Sequence, residues 1–358
     1  MKRILFLFFI LIFITPVPAQ AAGNSIWIAS PANRNYVGEI INKDFEKSLA
    51  PTGDLGKLIF QPVARPRTWI MDAALLEDVQ YLITKNSTVA TNWLTQLKKE
   101  SRGDTIYATA YGNPDVIYLN SLAPTELNFY YIVGLQHLQA VLLKNVQSEK
   151  GSGYAWRRAK IDNDLRQFFN NSRQEFSLIS TAVNPKEVET DRARIAQLFS
   201  PQLDGAQRNE LLKDYRVGQS NVIKKLRIVS GRYQITTSNE KIPVTLVNDF
   251  NSPVKVDLYF TPLNNRVTFP QYRQITLNAK SKIQVSVPIK TIAAGDTTVI
   301  ARFENGKGKV IGTKGIIELS STIISPAVSR FTTGAGLLLI LAAVAQSVRR
   351  VRKSRAEK

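Results

Sequence analysis

The pattern of apolar residues changes near Lys225, and no other feature of the sequence constrains the fold as strongly. Before this point, short apolar runs alternate with stretches of helical periodicity, as strands and helices do in βα units. From 226 to 322, short segments with period-2 alternation follow one another and are separated by turns containing Asn, Gly and Pro. We therefore expect an α/β domain over 22–225 and an all-β domain over 226–322.

The first domain contains five clear strands, with helical stretches between them. The predicted strands are Ser25–Ala29, Thr68–Met71, Thr105–Ala110, Tyr154–Trp156 and Phe176–Ala182, with a helix predicted at Asp162–Asn170. A complete (β/α) barrel takes eight strands and about 250 residues. The smaller number of strands predicts an incomplete (β/α) barrel-like domain, and an open parallel sheet is the alternative.

The second domain has the alternation of a half-buried sheet. Ile283, Val285, Val287 and Ile289 alternate with polar residues, so one face of this segment is predicted to be buried. Short strands of even spacing, each with one buried face, are typical of a two-sheet sandwich. We expect an immunoglobulin-like β-sandwich here, so that the whole chain is multidomain, α/β plus all-β.

The beginning of the chain has the layout of a cleavable secretory signal. Lys2 and Arg3 precede an apolar run from Ile4 to Ile14, and small residues follow as far as Ala21. At roughly 1.5 Å per residue this run is too short to cross a hydrocarbon core of about 30 Å. We therefore expect a signal peptide at 1–21 and export of the mature protein.

The end of the chain carries a longer uncharged stretch, 331–348, followed at once by a basic tail, 349–358. A stretch of this length is just sufficient for a transmembrane helix, and positive residues beside such a helix stay in the cytoplasm. The sequence thus predicts a single-pass protein of the cell membrane. Its body would be extracytoplasmic and its C-terminus cytoplasmic.

The composition excludes several kinds of active site. The chain has no cysteine, which rules out disulfides, thiolate metal sites and cysteine nucleophiles. It has one histidine, His137, whereas catalytic zinc sites usually draw on several. No segment has the glycine and lysine pattern of a phosphate-binding loop. We therefore expect no metal site and no cofactor.

The charge suggests the kind of partner. The signal contributes +2 and the tail +5 to the formal charge of +19, so the body keeps +12. A basic exported surface is suited to an anionic lipid or to an acidic cell-wall polymer, and its compartment argues against nucleic acid. The alternative is that these cations only keep the surface soluble.

Four residues are candidates for ligand binding: Asp72, Tyr111, Asp115 and Trp156. Functional groups gather at the carboxyl ends of strands in βα folds, where both aspartates are predicted to lie. Two carboxylates there could act as acid and base in glycoside hydrolysis, with the aromatic rings stacking on sugars. Aspartates at such positions also commonly cap the next helix or turn, and aromatic residues there commonly belong to the core. We assign none of the four as catalytic.

Several short motifs together resemble a known family. They are, in chain order, Thr68-Trp69-Ile70-Met71-Asp72, Trp93-Leu94, Tyr111-Gly112-Asn113-Pro114-Asp115 and Ile242-Pro243-Val244-Thr245-Leu246-Val247-Asn248-Asp249. With its arginine-rich end, the chain resembles the actinobacterial envelope family listed as domain of unknown function 6049. The resemblance implies an anchored envelope protein without an assigned activity, in a cell-wall context, with a membrane protein of cell-wall synthesis as a partner. Asn113 stands where the family usually has an aspartate.

Two functional hypotheses follow. In the first, the protein is a non-catalytic, membrane-anchored envelope component that binds a cell-wall polymer, a lipid-linked precursor or a membrane partner. In the second, it is a carbohydrate-active hydrolase that uses Asp72 and Asp115. We favour the first, because a short barrel with one histidine and with Asn113 in place of an aspartate suits binding better than catalysis. The hydrolase requires the two carboxylates to face each other across an open groove.

Overall fold

The structure is a computed structural model, and it describes residues 24–150, 158–322 and 326–356. The predicted signal peptide, 1–21, lies outside these residues. The predicted strand Tyr154–Trp156 lies outside them as well.

Two compact units divide the chain. Unit 1 comprises the residues up to Lys160 together with Ala196–Asp204, and unit 2 comprises Ile161–Ile195 together with the residues from Gly205 onward. The elements of unit 1 are β1 (Asn24–Ile28), α1 (Phe45–Leu49), α2 (Asp54–Phe60), β2 (Arg67–Met71), α3 (Ala73–Thr84), α4 (Thr88–Glu100), β3 (Thr105–Ala108), α5 (Val116–Leu122), α6 (Pro124–Leu142), β4 (Gln147–Ser148) and most of a 3-10 helix (Ile195–Phe199). The elements of unit 2 are α7 (Asn163–Ile179), α8 (Lys186–Arg194), α9 (Gly205–Ile223), β5 (Leu226–Ile228), β6 (Gly231–Ile235), β7 (Asn239–Asn248), β8 (Val254–Pro262), β9 (Val267–Thr268), β10 (Tyr272–Leu277), β11 (Ser281–Thr291), β12 (Gly295–Glu304), β13 (Val310–Ser321) and α10 (Pro326–Ala356).

The strands of unit 1 form a parallel sheet in the sequential order β1-β2-β3-β4. Ile28 lies beside Met71, Met71 beside Ala108, and Ala108 beside Ser148, so the four strands end together. Sequential order with helices between the strands belongs to a barrel wall, whereas an open doubly wound sheet reverses its order. The sheet is a curled half-barrel whose carboxyl ends share one edge.

The helices of unit 1 follow from local sequence signals, as α4 illustrates. Ser87 caps its start by accepting a hydrogen bond from the backbone N–H of Ala90 at 3.0 Å. Ala90, Trp93 and Leu97 recur at helical spacing, and all three are buried. The indole N–H of Trp93 donates to the carbonyl of Leu55 at 3.1 Å, so this large side chain enters the core without an unpaired donor.

Helix α6 packs closely on the end of β3 because Gly134 has no side chain. A Cβ at Gly134 would lie 2.4 Å from the carbonyl oxygen of Thr109. The backbone N–H of Tyr111 donates to the carbonyl of Tyr130 in the same helix at 3.0 Å. These contacts bring α6, and with it His137, to the carboxyl edge of the half-barrel.

The strands of unit 2 form one hydrogen-bonded path, β10-β8-β12-β13-β5-β7-β11-β9, and β6 pairs with β13. Strand β5 joins the two halves of this path, because Arg227 pairs with Thr313 of β13 and with Val247 of β7. Val287 in β11 and Val299 in β12 belong to buried rows that alternate with more exposed residues. The path therefore has the alternation of a curled, sandwich-like sheet with its apolar residues on the inner face.

The predicted strand Phe176–Ala182 is wrong, because helix α7 continues through these residues as far as Ile179. Phe168, Ser172 and Phe176 are spaced by four residues and are buried, which is the period of a helix face rather than of a strand. The fourth parallel strand of unit 1 is β4 instead, and it has only two residues.

The predicted transmembrane helix, 331–348, is also wrong. These residues lie in α10, and no helix in the described part of the chain is both long and apolar enough to cross a membrane. The run without polar side chains, Gly334–Ala345, covers about 18 Å at roughly 1.5 Å per residue, whereas a hydrocarbon core measures about 30 Å. The predicted localisation as a single-pass membrane protein, with 349–358 as its cytoplasmic tail, is contradicted by this finding.

Candidate functional site

The carboxyl edge of the half-barrel brings Asp72, Thr109 and Glu149 into one row. Each is the first residue after its strand, and the backbone N–H of each extends the pairing of the sheet. The N–H of Asp72 donates to Ile28 at 2.9 Å, and that of Thr109 donates to Met71 at 3.0 Å. Asp72 and Glu149 are both buried. Carboxyl groups therefore lie where βα proteins place functional residues.

Asp72 caps helix α3. Its Oδ1 accepts hydrogen bonds from the backbone N–H of Ala74 at 3.1 Å and of Gly112 at 2.8 Å. Burial raises the pKa of Asp72 to about 7, and the nearby carboxylates of Asp78 and Glu77 add to the rise. The two hydrogen bonds act in the opposite direction but do not outweigh burial. Asp72 is thus a helix cap that is partly protonated near neutral pH.

Asp115 caps helix α5, and both of its oxygens accept backbone hydrogen bonds. Oδ1 accepts from the N–H of Tyr118 at 2.9 Å, and Oδ2 accepts from the N–H of Ala159 at 3.0 Å. The guanidinium of Arg158 lies 3.9 Å from Oδ1. The residue is only 1% exposed, and its carboxylate both caps α5 and holds the backbone at Ala159.

Tyr111 belongs to the core, with 1% of its surface exposed, so its ring offers no platform for a sugar. Its hydroxyl donates to Oε2 of Glu77 at 2.7 Å, and its ring meets that of His137 edge-on, with centroids 5.8 Å apart. The next residue, Gly112, donates to Asp72, so the structure brings Tyr111 and Asp72 together. The fourth candidate, Trp156, lies outside the described residues.

Beside Asp72 lies a set of ionisable side chains that we call the edge cluster: Arg34, Glu77, Asp78 and His137. Nε of Arg34 donates to Oδ1 of Asp78 at 2.5 Å, and Nη2 of Arg34 lies 3.7 Å from Glu77. Nδ1 of His137 contacts Oε1 of Glu77. The side-chain amide of Asn33 donates to Oδ2 of Asp78 at 3.1 Å. Both carboxylates are therefore bonded to groups within the cluster and its neighbours.

The two neighbouring carboxylates of the edge cluster have opposed pKa shifts. Burial acts to raise the pKa of Glu77, but hydrogen bonds from His137 and Tyr111 outweigh it and lower that pKa. Burial raises the pKa of Asp78 even though Arg34 opposes the rise. Among the described residues, no group of three or more acidic or histidine side chains is placed to hold a metal ion. The cluster has the geometry of an internal ion-pair network rather than of a metal centre.

The edge cluster was not predicted from the sequence. Glu77 and His137 are sixty positions apart, and only the packing of α3 against α6 joins them. One signal was present: His137 follows Tyr130 and Gly134 at helical spacing, on the buried face of α6. That spacing predicts a half-buried histidine, but it does not identify its carboxylate partner.

The described residues define a class of protein with two units. One is an α/β half-barrel with helix-capping aspartates at its carboxyl edge, and the other combines helices with a curled, sandwich-like sheet. The chain matches the family described as "Family of unknown function (DUF6049)" over residues 135–356, more than half of its length. The protein belongs to this family, as its motifs predicted. Asp72, Tyr111 and Asp115 precede the matched residues, whereas His137 lies within them.

Solved structures are similar to about a quarter of the chain. WR4, an MSP family member from C. elegans, is 9% identical over 28% of this chain and 99% of its own, with a TM-score of 0.22. PapD-like domain 7 of human CEP192 is 13% identical over 28% of this chain and 86% of its own, with a TM-score of 0.22. The E. coli chaperone DraB is 14% identical over 29% of this chain and 56% of its own, with a TM-score of 0.20. At these scores the likenesses carry no functional argument, and no curated protein matches the sequence.

Proposed function

We propose that the protein is a non-catalytic component of the cell envelope that binds an anionic cell-wall polymer. One observation carries the proposal: Asp72 and Asp115, the two carboxylates that a hydrolase would need, are buried and cap helices. A general acid or base must reach the substrate. Asp115 has both oxygens occupied by backbone donors, so it has no free oxygen to offer.

The charge of the chain supports a polyanion as the ligand. The formal charge is +19, of which +12 lies between the first 21 residues and the basic tail. In unit 2 several lysines are exposed on the strands, namely Lys241, Lys255, Lys282, Lys290 and Lys314. Exposed cations in such excess attract repeating anions, and their attraction is screened over about 8 Å at physiological ionic strength.

The test is co-sedimentation of the full chain with anionic wall fragments at several salt concentrations. We expect retention at low salt and release as the salt approaches several hundred millimolar, because exposed charges are then screened. Neutral polysaccharide should not retain the protein. A parallel experiment uses vesicles of anionic lipid. Retention by the vesicles and not by the wall fragments would identify a lipid, rather than the polymer, as the ligand. No retention on any anionic surface would refute the proposal.

The hydrolase alternative predicts a different result. If Asp72 and Asp115 were acid and base, replacing either with asparagine would reduce the release of sugars from wall polysaccharide by orders of magnitude. We expect no release by the wild type above a no-protein control, and therefore no effect of D72N or D115N. Release by the wild type that D72N or D115N abolishes would establish the hydrolase instead.

A further inference from the structure

A cavity of about 390 Å³ opens where strand β9 separates from β11. Strand β9 pairs with β11 only through Val267 and Thr268, and the chain then continues as Phe269 and Pro270. We call this cavity the β9 pocket. Its volume lies within the range of small-ligand sites, about 300–1,000 Å³.

Apolar residues dominate the lining of the β9 pocket: Phe269 and Pro270 on one side, and Pro288 with the buried Ile289 of β11 on the other. The ring of Phe269 stacks on Phe260, with centroids 5.0 Å apart and an angle of 19° between the rings. One face of the ring is thus held by its neighbour, and the residue remains partly exposed. A fixed aromatic ring beside prolines offers a surface that suits the C–H face of a sugar ring.

Two exposed lysines also line the β9 pocket. Lys241 of β7 lies opposite Pro288 of β11, and Lys290 of β11 lies opposite Thr268 of β9. Their backbones pair within the sheet, whereas neither lysine side chain has a hydrogen-bond or ion-pair partner in the described part of the chain. The one carboxylate in the lining, Glu240, accepts a hydrogen bond from the N–H of Thr236 at 3.0 Å, so it is engaged by its own turn.

We infer that the β9 pocket binds an anionic sugar unit, with Lys241 and Lys290 on its carboxylate or phosphate and Phe269 against its ring. This inference rests on the proposed function and names the site through which the polymer is recognised. Diffuse charge alone would leave every exposed lysine equivalent. The β9 pocket distinguishes Lys241 and Lys290 from the others, because these two flank an apolar surface on which a sugar ring can pack.

The experiment compares two double variants of the full chain that have the same net charge. K241Q/K290Q removes the lysines of the β9 pocket, and K255Q/K314Q removes two exposed lysines from strands β8 and β13. Calorimetry at 150 mM salt would use three probes: an oligouronate, poly(glycerol phosphate) and a neutral cello-oligosaccharide. We expect K241Q/K290Q to weaken binding of the anionic probes by about tenfold or more, and K255Q/K314Q by about twofold or less.

The outcomes separate this inference from the proposed function. If the wild type binds the anionic probes and both double variants lose affinity equally, binding is diffuse; the β9 pocket is then refuted while the proposed function stands. If the wild type binds no anionic probe, both the β9 pocket inference and the proposed function are refuted. Equal binding of the neutral oligosaccharide would refute the requirement for an anion.

A third variant, F269L, distinguishes a sugar from a bare phosphate. Leucine keeps the position apolar but removes the flat ring. We expect F269L to weaken the oligouronate severalfold and to leave poly(glycerol phosphate) unchanged, with an unchanged melting temperature as evidence of folding. An equal effect on both anionic probes, or no effect on either, would contradict the role given to the ring.

Discussion

The two ends of the parallel sheet in unit 1 differ in how a carboxylate is stabilised: by ion pairs at the amino end, and by backbone donors alone at the carboxyl end. At the amino end, Arg67 begins β2 with its side chain 5% exposed, and it donates to Asp104 at 2.7 Å and to Glu100 at 2.9 Å. The indole of Trp69 donates to the same Asp104 at 2.9 Å. At the carboxyl end, the buried Asp72 accepts from two backbone donors, and no cation among the described residues is bonded to it.

The pKa directions express this difference. Burial acts to raise the pKa of Asp104, but the hydrogen bonds from Arg67 and Trp69 outweigh it and lower that pKa. Burial prevails at Asp72 and raises its pKa to about 7. The ionised form of Asp104 is therefore stabilised at the amino end, whereas the ionised form of Asp72 lowers the stability of the folded state at the carboxyl end. Barrel-like proteins commonly separate stability and function between these same two ends.

The largest effect is expected at the amino end. Replacing Arg67 with methionine removes the buried cation that Asp104 and Glu100 share and leaves Asp104 with only the exposed Arg65. Breaking a buried pair in this way costs about 3–5 kcal/mol. Urea unfolding followed by tryptophan fluorescence measures the loss, because the described tryptophans, Trp27, Trp69 and Trp93, all lie in unit 1.

Arg65 provides the matched control. It lies 3.0 Å from the same Asp104, but its side chain is 56% exposed, so solvent screens this pair. Arg65→Met should cost about 1 kcal/mol or less. Equal losses for the two variants would show that burial does not distinguish the two arginines.

At the carboxyl end, Asp72→Asn should stabilise the protein above neutral pH. The pKa of Asp72 is raised from about 3.8 in the unfolded chain to about 7, so the folded state binds the extra proton between these values. Stability from this group is present below about pH 4 and is lost as the pH rises through 7. Asparagine does not titrate, and its Oδ1 can still accept from Ala74 and Gly112.

The expected difference between D72N and the wild type is therefore near zero at pH 4 and reaches up to ~4 kcal/mol in favour of D72N at pH 8. Denaturant unfolding at several pH values measures it, and other titrating groups cancel in the difference. If the difference in unfolding free energy between D72N and the wild type were the same at every pH, ionised Asp72 would not destabilise the fold. The contrast between the amino and carboxyl ends of the sheet would then be refuted.

Much of this fold could be predicted from the sequence, and the exceptions have physical causes. Strands β1 to β3 were predicted to within two residues because each is an apolar run closed by a polar residue. Strand β4, Gln147–Ser148, has no apolar residue and is formed only by backbone pairing with β3. The stretch Phe176–Ala182 was misassigned because a short apolar run does not distinguish a strand from the end of an amphipathic helix.

For the candidate site, the sequence indicated where Asp72 and Asp115 lie along the chain, but it left two roles open for them, ligand binding and helix capping. Asp72 and Asp115 lie after strands as expected, but a catalytic carboxylate and a helix cap occupy the same place in a βα unit. Only the hydrogen-bond partners decide between them. The contact of Glu77 with His137 depends on two helices packing together, and a single sequence carries no record of that packing.

Replacing Glu77 with glutamine should have an intermediate effect. Glutamine can still accept from Tyr111, but it no longer pairs as a charge with Arg34 and His137, and hydrogen bonds to charged groups are worth about 1.5–3 kcal/mol each. We expect a loss of about 1–3 kcal/mol at pH 7 in denaturant unfolding. Because the pKa of Glu77 is lowered, its stabilisation is present above the ordinary value of 4.5 and should fade as the pH falls below it. A loss independent of pH would point to packing instead of charge.

Apart from the Arg65→Met control, the smallest effect is expected for Asp115→Asn. Both carboxylate oxygens of Asp115 accept backbone hydrogen bonds, from Tyr118 and from Ala159, whereas asparagine has a single side-chain oxygen. One N–H therefore loses its acceptor, and the pairing with the exposed Arg158 is lost as well, for a total of about 1 kcal/mol. Asp72 differs because one oxygen receives both of its donors, so asparagine preserves its cap. If D115N proves as stable as the wild type while D72N is destabilised at every pH, the roles given to the two aspartates would have to be exchanged.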